Sequence, residues 1–261
     1  PLFPRKSNSP ASEYAPVAQL DRVTDSDSVG HWFESSRAYQ QKTLAKASVF
    51  CFHLGKGGIG MALENKLGLT SSADLAREEE RISKKKAVEL FETGLLDQLE
   101  AGTFSSLQFI HKHLFEEIYD FAGELRTVNI AKGNFRFAPV MYLEAALSNI
   151  EKMPQSTFDE SIEKYVEMSI AHPFREGNGR SIRIWLDLLL KAQLHQVVDW
   201  SRVDKEDYLL AMERSPIRDT EIKHILKNAL TDEIDSRHVY MKGIDHSYYY
   251  EGYTAFRAEE L

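Results

Sequence analysis

The stretch AHPFREGNGRSIRIW, residues 171 to 185, sets His172, Glu176, a Gly177-Asn178-Gly179 turn and three arginines just ahead of an apolar helical run. With a helix starting near residues 178 to 180, the glycines expose backbone N–H groups at the positive end of a helix dipole, which makes an anion site. Arg180 and Arg183, three apart, project from one side of the first turn and can give charge-assisted bonds to phosphate oxygens. A polyphosphate is the guest this chemistry suits. Glu176, just before the turn, would repel a phosphate unless a hard cation such as Mg²⁺ bridges the two. His172, whose ordinary pKa is near neutrality, can take a proton from an attacking hydroxyl. Phe174 reads as a core anchor of the loop and Arg175 as solvated.

His172-Pro173-Phe174-Arg175-Glu176-Gly177-Asn178-Gly179-Arg180, followed by Arg183, resembles the signature of the Fic family, HxFx[DE]GNGRxxR, with no position missing. The likeness extends over roughly residues 110 to 255, with a hairpin at 128 to 140 in the place of the family's flap. It implies a mainly α fold, a Fic-type helical bundle with a short β-hairpin flap, that transfers AMP from ATP to a protein hydroxyl. His172 would be the catalytic base and Glu176 the Mg²⁺ ligand. Gly177, Asn178 and Gly179 would form the anion hole, with Arg180 and Arg183 gripping phosphates. Lys132, Gly133, Asn134, Phe135, Arg136 and Phe137, in the flap, would hold the target backbone by strand addition. The implied partner is a cytoplasmic protein offering a Tyr, Ser or Thr hydroxyl, with type II DNA topoisomerases as a family-level candidate and a homo-oligomer as a further one.

Ser247-Tyr248-Tyr249-Tyr250-Glu251-Gly252 resembles the inhibitory motif [ST]xxxE[GN] of the single-domain class, which places an inhibitory helix near 244 to 256. Ser247 and Glu251 would be its working residues. Glu251 paired with Arg183 would occupy the place of the ATP γ-phosphate. Tyr248 is a candidate for self-modification, with Tyr249, Tyr250 and Tyr253 beside it. Two other readings remain open at this point: a Fic-fold enzyme with another reaction (phosphate or phosphocholine transfer, or AMP removal), and a non-enzymatic peptide-binding module.

The elements that must position these residues read as helical. Residues 71 to 94 offer Ser71 or Ser72 as an N-cap and Gly94 as a stop. Further helices are expected at about 106–120, 142–152, 158–171, 180–194, 204–213 and 219–231. Ile162, Tyr165, Val166, Ser169 and Ile170 share one helical face, and IRIWLDLLL, apolar nearly all round, is expected to be a central helix. The β-rich LRTVNIAKGNFRFAPV reads as a hairpin turning at Gly133-Asn134.

The net charge of −8 is spread over mixed-sign helices, which argues against the basic face of a nucleic-acid binder. No run approaches the roughly 18 apolar residues of a membrane span. A single cysteine, Cys51, leaves no intramolecular disulfide, so a reducing cytoplasm is the expectation. Residues 1 to 60 show no sustained apolar period and are expected to be a disordered extension. Trp32-Phe33-Glu34-Ser35 back-translates as TGG-TTC-GAA-TCC, so this segment resembles a transfer-RNA gene read in frame, with Met61 as the true start and residues 61 to 261 as the Fic domain.

Overall fold

The computed structural model describes residues 62–132 and 135–261. The extension, Met61 and the Gly133-Asn134 turn lie outside these described residues.

Among the described residues, eight helices make up the body: α1 (Ser72–Glu92), α2 (Phe104–Phe115), α3 (Leu143–Glu151), α4 (Phe158–Ala171), α5 (Asn178–Leu194), α6 (Lys205–Arg214), α7 (Thr220–Asn228) and α8 (Arg237–Tyr250). Two strand pairs are attached, β1 (Ala131–Lys132) with β2 (Phe135–Arg136), and β3 (Val197–Val198) with β4 (Leu230–Thr231), both antiparallel. The starts of the helices follow from side-chain caps. Ser71 accepts from the Asp74 amide at the head of α1, and Thr157 and Glu160 form a reciprocal capping box on α4.

As its composition implied, α5 is central: Ile182, Trp185, Leu186, Leu189 and Leu190 are almost fully buried. It packs against α2 and α4 on two sides and α8 on a third. No helix among the described residues is long and apolar enough to cross a membrane.

Three boundaries differ from the sequence expectation. The helix expected over 106–120 ends at Phe115, because the next residues turn back to Gly123, whose φ of +78° only glycine adopts freely. The helix expected over 219–231 stops at Asn228, since Leu230 and Thr231 pair with Val198 and Val197, a contact local periodicity does not carry. The helix expected near 244–256 runs instead from Arg237 to Tyr250. It is capped by the Ser236 side chain and stopped by Gly252 at φ +94°.

The C-terminal tail is tied to α1 by a buried ionic cluster. Lys84 Nζ lies 3.1 Å from Glu80 Oε1 and 2.9 Å from Asp245 Oδ1, and it donates to the Phe256 carbonyl at 2.6 Å. Glu80 in turn accepts the amides of Ala255 and Phe256. Removing the lysine charge strands the buried Glu80 carboxylate without its cation, at a cost of about 3 kcal/mol. Lys84→Met is therefore expected to lower the unfolding free energy by about that amount in urea titrations, although methionine matches the length of the lysine stem.

Candidate active site

The anion turn is built by packing. Gly177, the N-cap of α5, has φ +76°, and a Cβ there would sit 2.4 Å from the Phe115 ring. Both conformation and space exclude a side chain. Asn178 does not offer its amide to the cleft: Oδ1 accepts the Phe174 N–H and Nδ2 donates to the Phe174 carbonyl, both at 2.8 Å. It laces the loop, so any anion at this turn would meet backbone amides rather than the Asn178 side chain. Phe174 is fully buried and stacks on His111, while Arg175 is exposed over the Phe121 ring, as the sequence suggested.

His111, which the sequence did not single out, supports this turn from below. Its Nδ1 accepts the Gly123 amide at 2.9 Å, so its Nε2 carries the hydrogen that is donated to the Glu176 carbonyl at 2.8 Å. Burial lowers its pKa to about 3 and keeps the ring neutral.

His172 is the C-cap of α4, in the left-handed region at φ +48°. Its Nδ1 lies 3.2 Å from the Ser169 carbonyl and its ring stacks on Phe137 of the flap at 3.7 Å. Donation from Nδ1 leaves the Nε2 lone pair free as a proton acceptor. Desolvation, offset in part by the Ser169 carbonyl, lowers its pKa to about 3.

Glu176 Oε1 accepts the Gly177 amide at 3.0 Å and lies 3.2 Å from Arg180 Nη2, with two-fifths of its side chain still open. The surrounding protein desolvates the carboxyl, and the negative charges of Glu79 and Glu251 act in the same sense. Against Arg180, these effects raise its pKa.

The two arginines divide their work. Arg183 faces the cleft, donating from Nε to Ser247 Oγ at 2.7 Å and from Nη2 to the Ser247 carbonyl and Glu251 Oε1, both at 2.8 Å. Arg180 does not line the cleft. It is fully buried behind Glu251, with Nη1 on Glu79 Oε1 at 2.7 Å and Nε 2.8 Å from Glu251 Oε2, an ionic contact without hydrogen-bond alignment. The rings of Phe115, Tyr248 and Tyr253 surround its guanidinium. Its expected role as an open phosphate ligand is not available in this arrangement.

Glu79 holds Arg180 in place and is itself bonded by the hydroxyls of Tyr119 and Tyr253. The only sequence signal for it was a carboxylate on the apolar face of a helix, at i+4 from Leu75.

Glu251 sits where α8 ends. Gly252 N–H returns to the Tyr249 carbonyl and Tyr253 N–H to the Tyr248 carbonyl, the paired bonds of a Schellman motif with glycine in the left-handed position. The Glu-Gly pair thus stops the helix where the carboxylate reaches both guanidiniums. A Cβ on Gly179 would come within 2.4 Å of Glu251 Oε1. Desolvation pushes the Glu251 carboxyl up, but Arg180, Arg183 and Lys132 outweigh it and hold it below the ordinary value. Tyr248, the candidate for self-modification, is completely buried and donates to Ser83, so it cannot be reached in this arrangement; Tyr249 is the exposed member of the run.

A cleft of about 450 Å³ opens in front of these groups, within the range of small-molecule sites. Its walls are the flap, through Lys132, Phe135 and Phe137, the motif from His172 to Gly179, and Tyr208, Leu209 and Met212 opposite. Arg136 points away from it, exposed to solvent.

Residues 103–190 match the model of the Fic/DOC family. Over 156 residues, 55% of this chain, it is 31% identical to a protein adenylyltransferase, VbhT, of Bartonella schoenbuchensis, and covers 31% of that protein. It is 27% identical to a probable protein adenylyltransferase, y4lH, of Sinorhizobium fredii, covering 59% of this chain and 82% of the relative. The chain thus spans about a third of the first relative and most of the second. Among solved structures, the BepC protein of Bartonella tribocorum with bound AMPPNP superposes with a TM-score of 0.53 at 19% identity, over 69% of this chain and 96% of that one, which shows the shared fold.

Because the Glu251 pKa is depressed, its ionic link contributes fully above the ordinary carboxyl value of 4.5 and is lost only as pH falls through the lower folded-state value. Hydrogen-exchange protection of the last turn of α8 is expected to stay level from pH 8 to about 5 and to drop only in stronger acid. A drop near pH 6 would show that another group governs the contact.

Proposed function

We propose that this chain, which carries a Fic domain, is a protein adenylyltransferase that moves AMP from ATP to a Tyr, Ser or Thr hydroxyl, and that Glu251 holds it in a blocked state. The observation that carries the reading is His172 with its Nε2 lone pair free, set beside a backbone anion turn and Arg183 in one cleft. Relatives that are 27–31% identical over aligned segments of 142 to 165 residues, and are named protein adenylyltransferase or probable protein adenylyltransferase, support it.

In the reaction, the target oxygen attacks the α-phosphorus and the bond to the β-phosphate bridging oxygen breaks, so pyrophosphate leaves with the electron pair. His172 Nε2 takes the hydroxyl proton. Negative phosphates arriving beside the imidazole favour its charged form and raise its pKa from the value burial imposes. The amides of the turn at the start of α5 face the developing charge on the phosphoryl oxygens. The flap strand β1, paired on one edge with β2, offers backbone groups to an extended target segment.

Mg²⁺ fits the donor set as an ion carried on the nucleotide. Glu176 is a single, partly open carboxylate, and among the described residues no group of three or more His, Cys, Asp or Glu is gathered as a metal cage. When bound, the ion would neutralise phosphate charge.

Glu251 blocks by occupying Arg183. A nucleotide phosphate that needs this guanidinium meets a carboxylate already 2.8 Å from it. Moving such a site from 99% closed to 99% open takes about 5.5 kcal/mol of differential binding.

The test is transfer of label from α-labelled ATP to proteins of a cell lysate. Strong labelling is expected with Glu251→Gly, little with the natural sequence, and none with Glu251→Gly combined with His172→Ala. Labelling that survives the histidine change would sink the reading. The pH dependence gives a second check, since a low-pKa base is neutral and competent well into acid. The acid limb of kcat/KM for ATP in the Glu251→Gly protein is expected below the ordinary histidine value of 6.5.

A further inference from the structure

His172 combines two backbone features that oppose each other. It is a non-glycine residue at φ +48°, and it precedes a proline, which steers the preceding residue towards extended conformations. Strained backbone of this kind persists only where its surroundings over-determine it. The His172 amide is held by the Met168 carbonyl at 3.0 Å. The other restraint is Arg126.

Arg126 is 4% exposed, and every polar contact of its side chain is to a backbone carbonyl. Nε donates to His172 O at 2.7 Å, Nη1 to Val128 O at 2.9 Å, and Nη2 to Ala171 O at 3.1 Å and to Ala138 O. Its own amide donates to Pro173 O at 2.9 Å. Ala171 and His172 are the last carbonyls of α4, where a cation is favoured by the helix dipole. Val128 and Ala138 flank the two ends of the flap. One planar guanidinium therefore joins the residue bearing the proton-accepting ring to both legs of the flap. A lysine, with three rotatable donors and no fixed plane, cannot satisfy the same four carbonyls.

We propose that Arg126 is a positioning residue of the transfer reaction, fixing the His172 backbone and the flap in one register so that the base and the docked hydroxyl meet. The Phe137 ring, one residue before Ala138, stacks on the His172 imidazole, so a shift of either flap leg moves the ring that covers the base. The inference rests on the AMP-transfer reading. Arg126 touches no part of the anion turn, so nucleotide binding and base positioning are separable.

The experiment compares Arg126→Lys and Arg126→Gln with Arg126 in the full chain carrying Glu251→Gly. It measures Tm, affinity for a β,γ-imido ATP analogue, transfer from α-labelled ATP to lysate proteins, and the ring ¹⁵N signals of His172, identified by their loss in His172→Gln. With Arg126, His172 is expected to show one tautomer, with the hydrogen on Nδ1. In the variants the two ring nitrogens are expected to average and transfer to fall about a hundredfold, the scale of a misplacement near 1 Å, with lysine recovering part of it. Analogue affinity is expected to hold in the lysine variant, which stays folded with a Tm lowered by several degrees for the carbonyls it leaves unpaired. A folded lysine variant that keeps the single-tautomer signal and the full rate overturns the proposal. So does a parallel loss of Tm, analogue affinity and rate with the tautomer unchanged, which marks a purely structural role. If the Arg126 parent transfers no AMP, the AMP-transfer reading fails, while the ¹⁵N comparison still decides whether Arg126 sets the imidazole.

Discussion

The structure depends on how two buried guanidinium groups on one face of α5 are neutralised. Arg180 and Arg183 are three residues apart and nearly inaccessible to water, and burial of such charges is tolerable only with well-placed partners. Glu79 from α1 answers Arg180 permanently, while Glu251 from the end of α8 is shared between both. The position of Glu251 is therefore the one that another anion can take. In the proposed function, a polyphosphate would answer the same electrostatic demand that the protein's own carboxylate answers here.

The remaining architecture fixes where these charges meet. α5 is packed on α2, α4 and α8, so the arginines are fixed and the competing groups come to them. The Schellman stop at Gly252 sets the height of Glu251 along α8, and Tyr253, just beyond it, bonds to Glu79. The cluster of Lys84, Glu80 and Asp245 then secures the tail beyond Tyr253 to α1. Helix α1 lies outside the segment that matches the family model, yet it supplies Glu79, Glu80, Ser83 and Lys84 to the site and its closing element.

Local chemistry was legible in the sequence, and long-range chemistry was not. The run from His172 to Arg183 announced base, carboxylate, turn and arginines because all of them lie within one loop and one helical turn. The pair Glu251-Gly252 was legible through its resemblance to the inhibitory motif beside a complete signature, while the stop at Gly252 was not read, since the helix was expected to run on to about residue 256. Glu79 was missed because it is 101 residues from Arg180 and sits in the run Glu78 to Glu80, which in sequence alone reads as a solvated charged face. His111 and Arg126 were missed because both act on backbone atoms, which carry no sequence identity. The short β3–β4 pair was missed because Leu230 and Thr231 have no strand signal apart from the residues they meet. Arg180 was expected to grip a phosphate, and in this arrangement it is buried against Glu79 and Glu251, while the Asn178 side chain laces the loop whose backbone was expected to meet the anion. Residue type alone does not distinguish these uses.

The order of these residues along the chain has a consequence for biosynthesis. Glu251 follows Arg183 by 68 residues, so at about 5–20 residues per second the motif leaves the ribosome roughly 3 to 14 s before its competing carboxylate. Glu79 precedes Arg180 and is available from the outset. During each round of translation there is an interval in which the carboxylate that answers only Arg180 has been synthesised and the one that answers Arg183 has not.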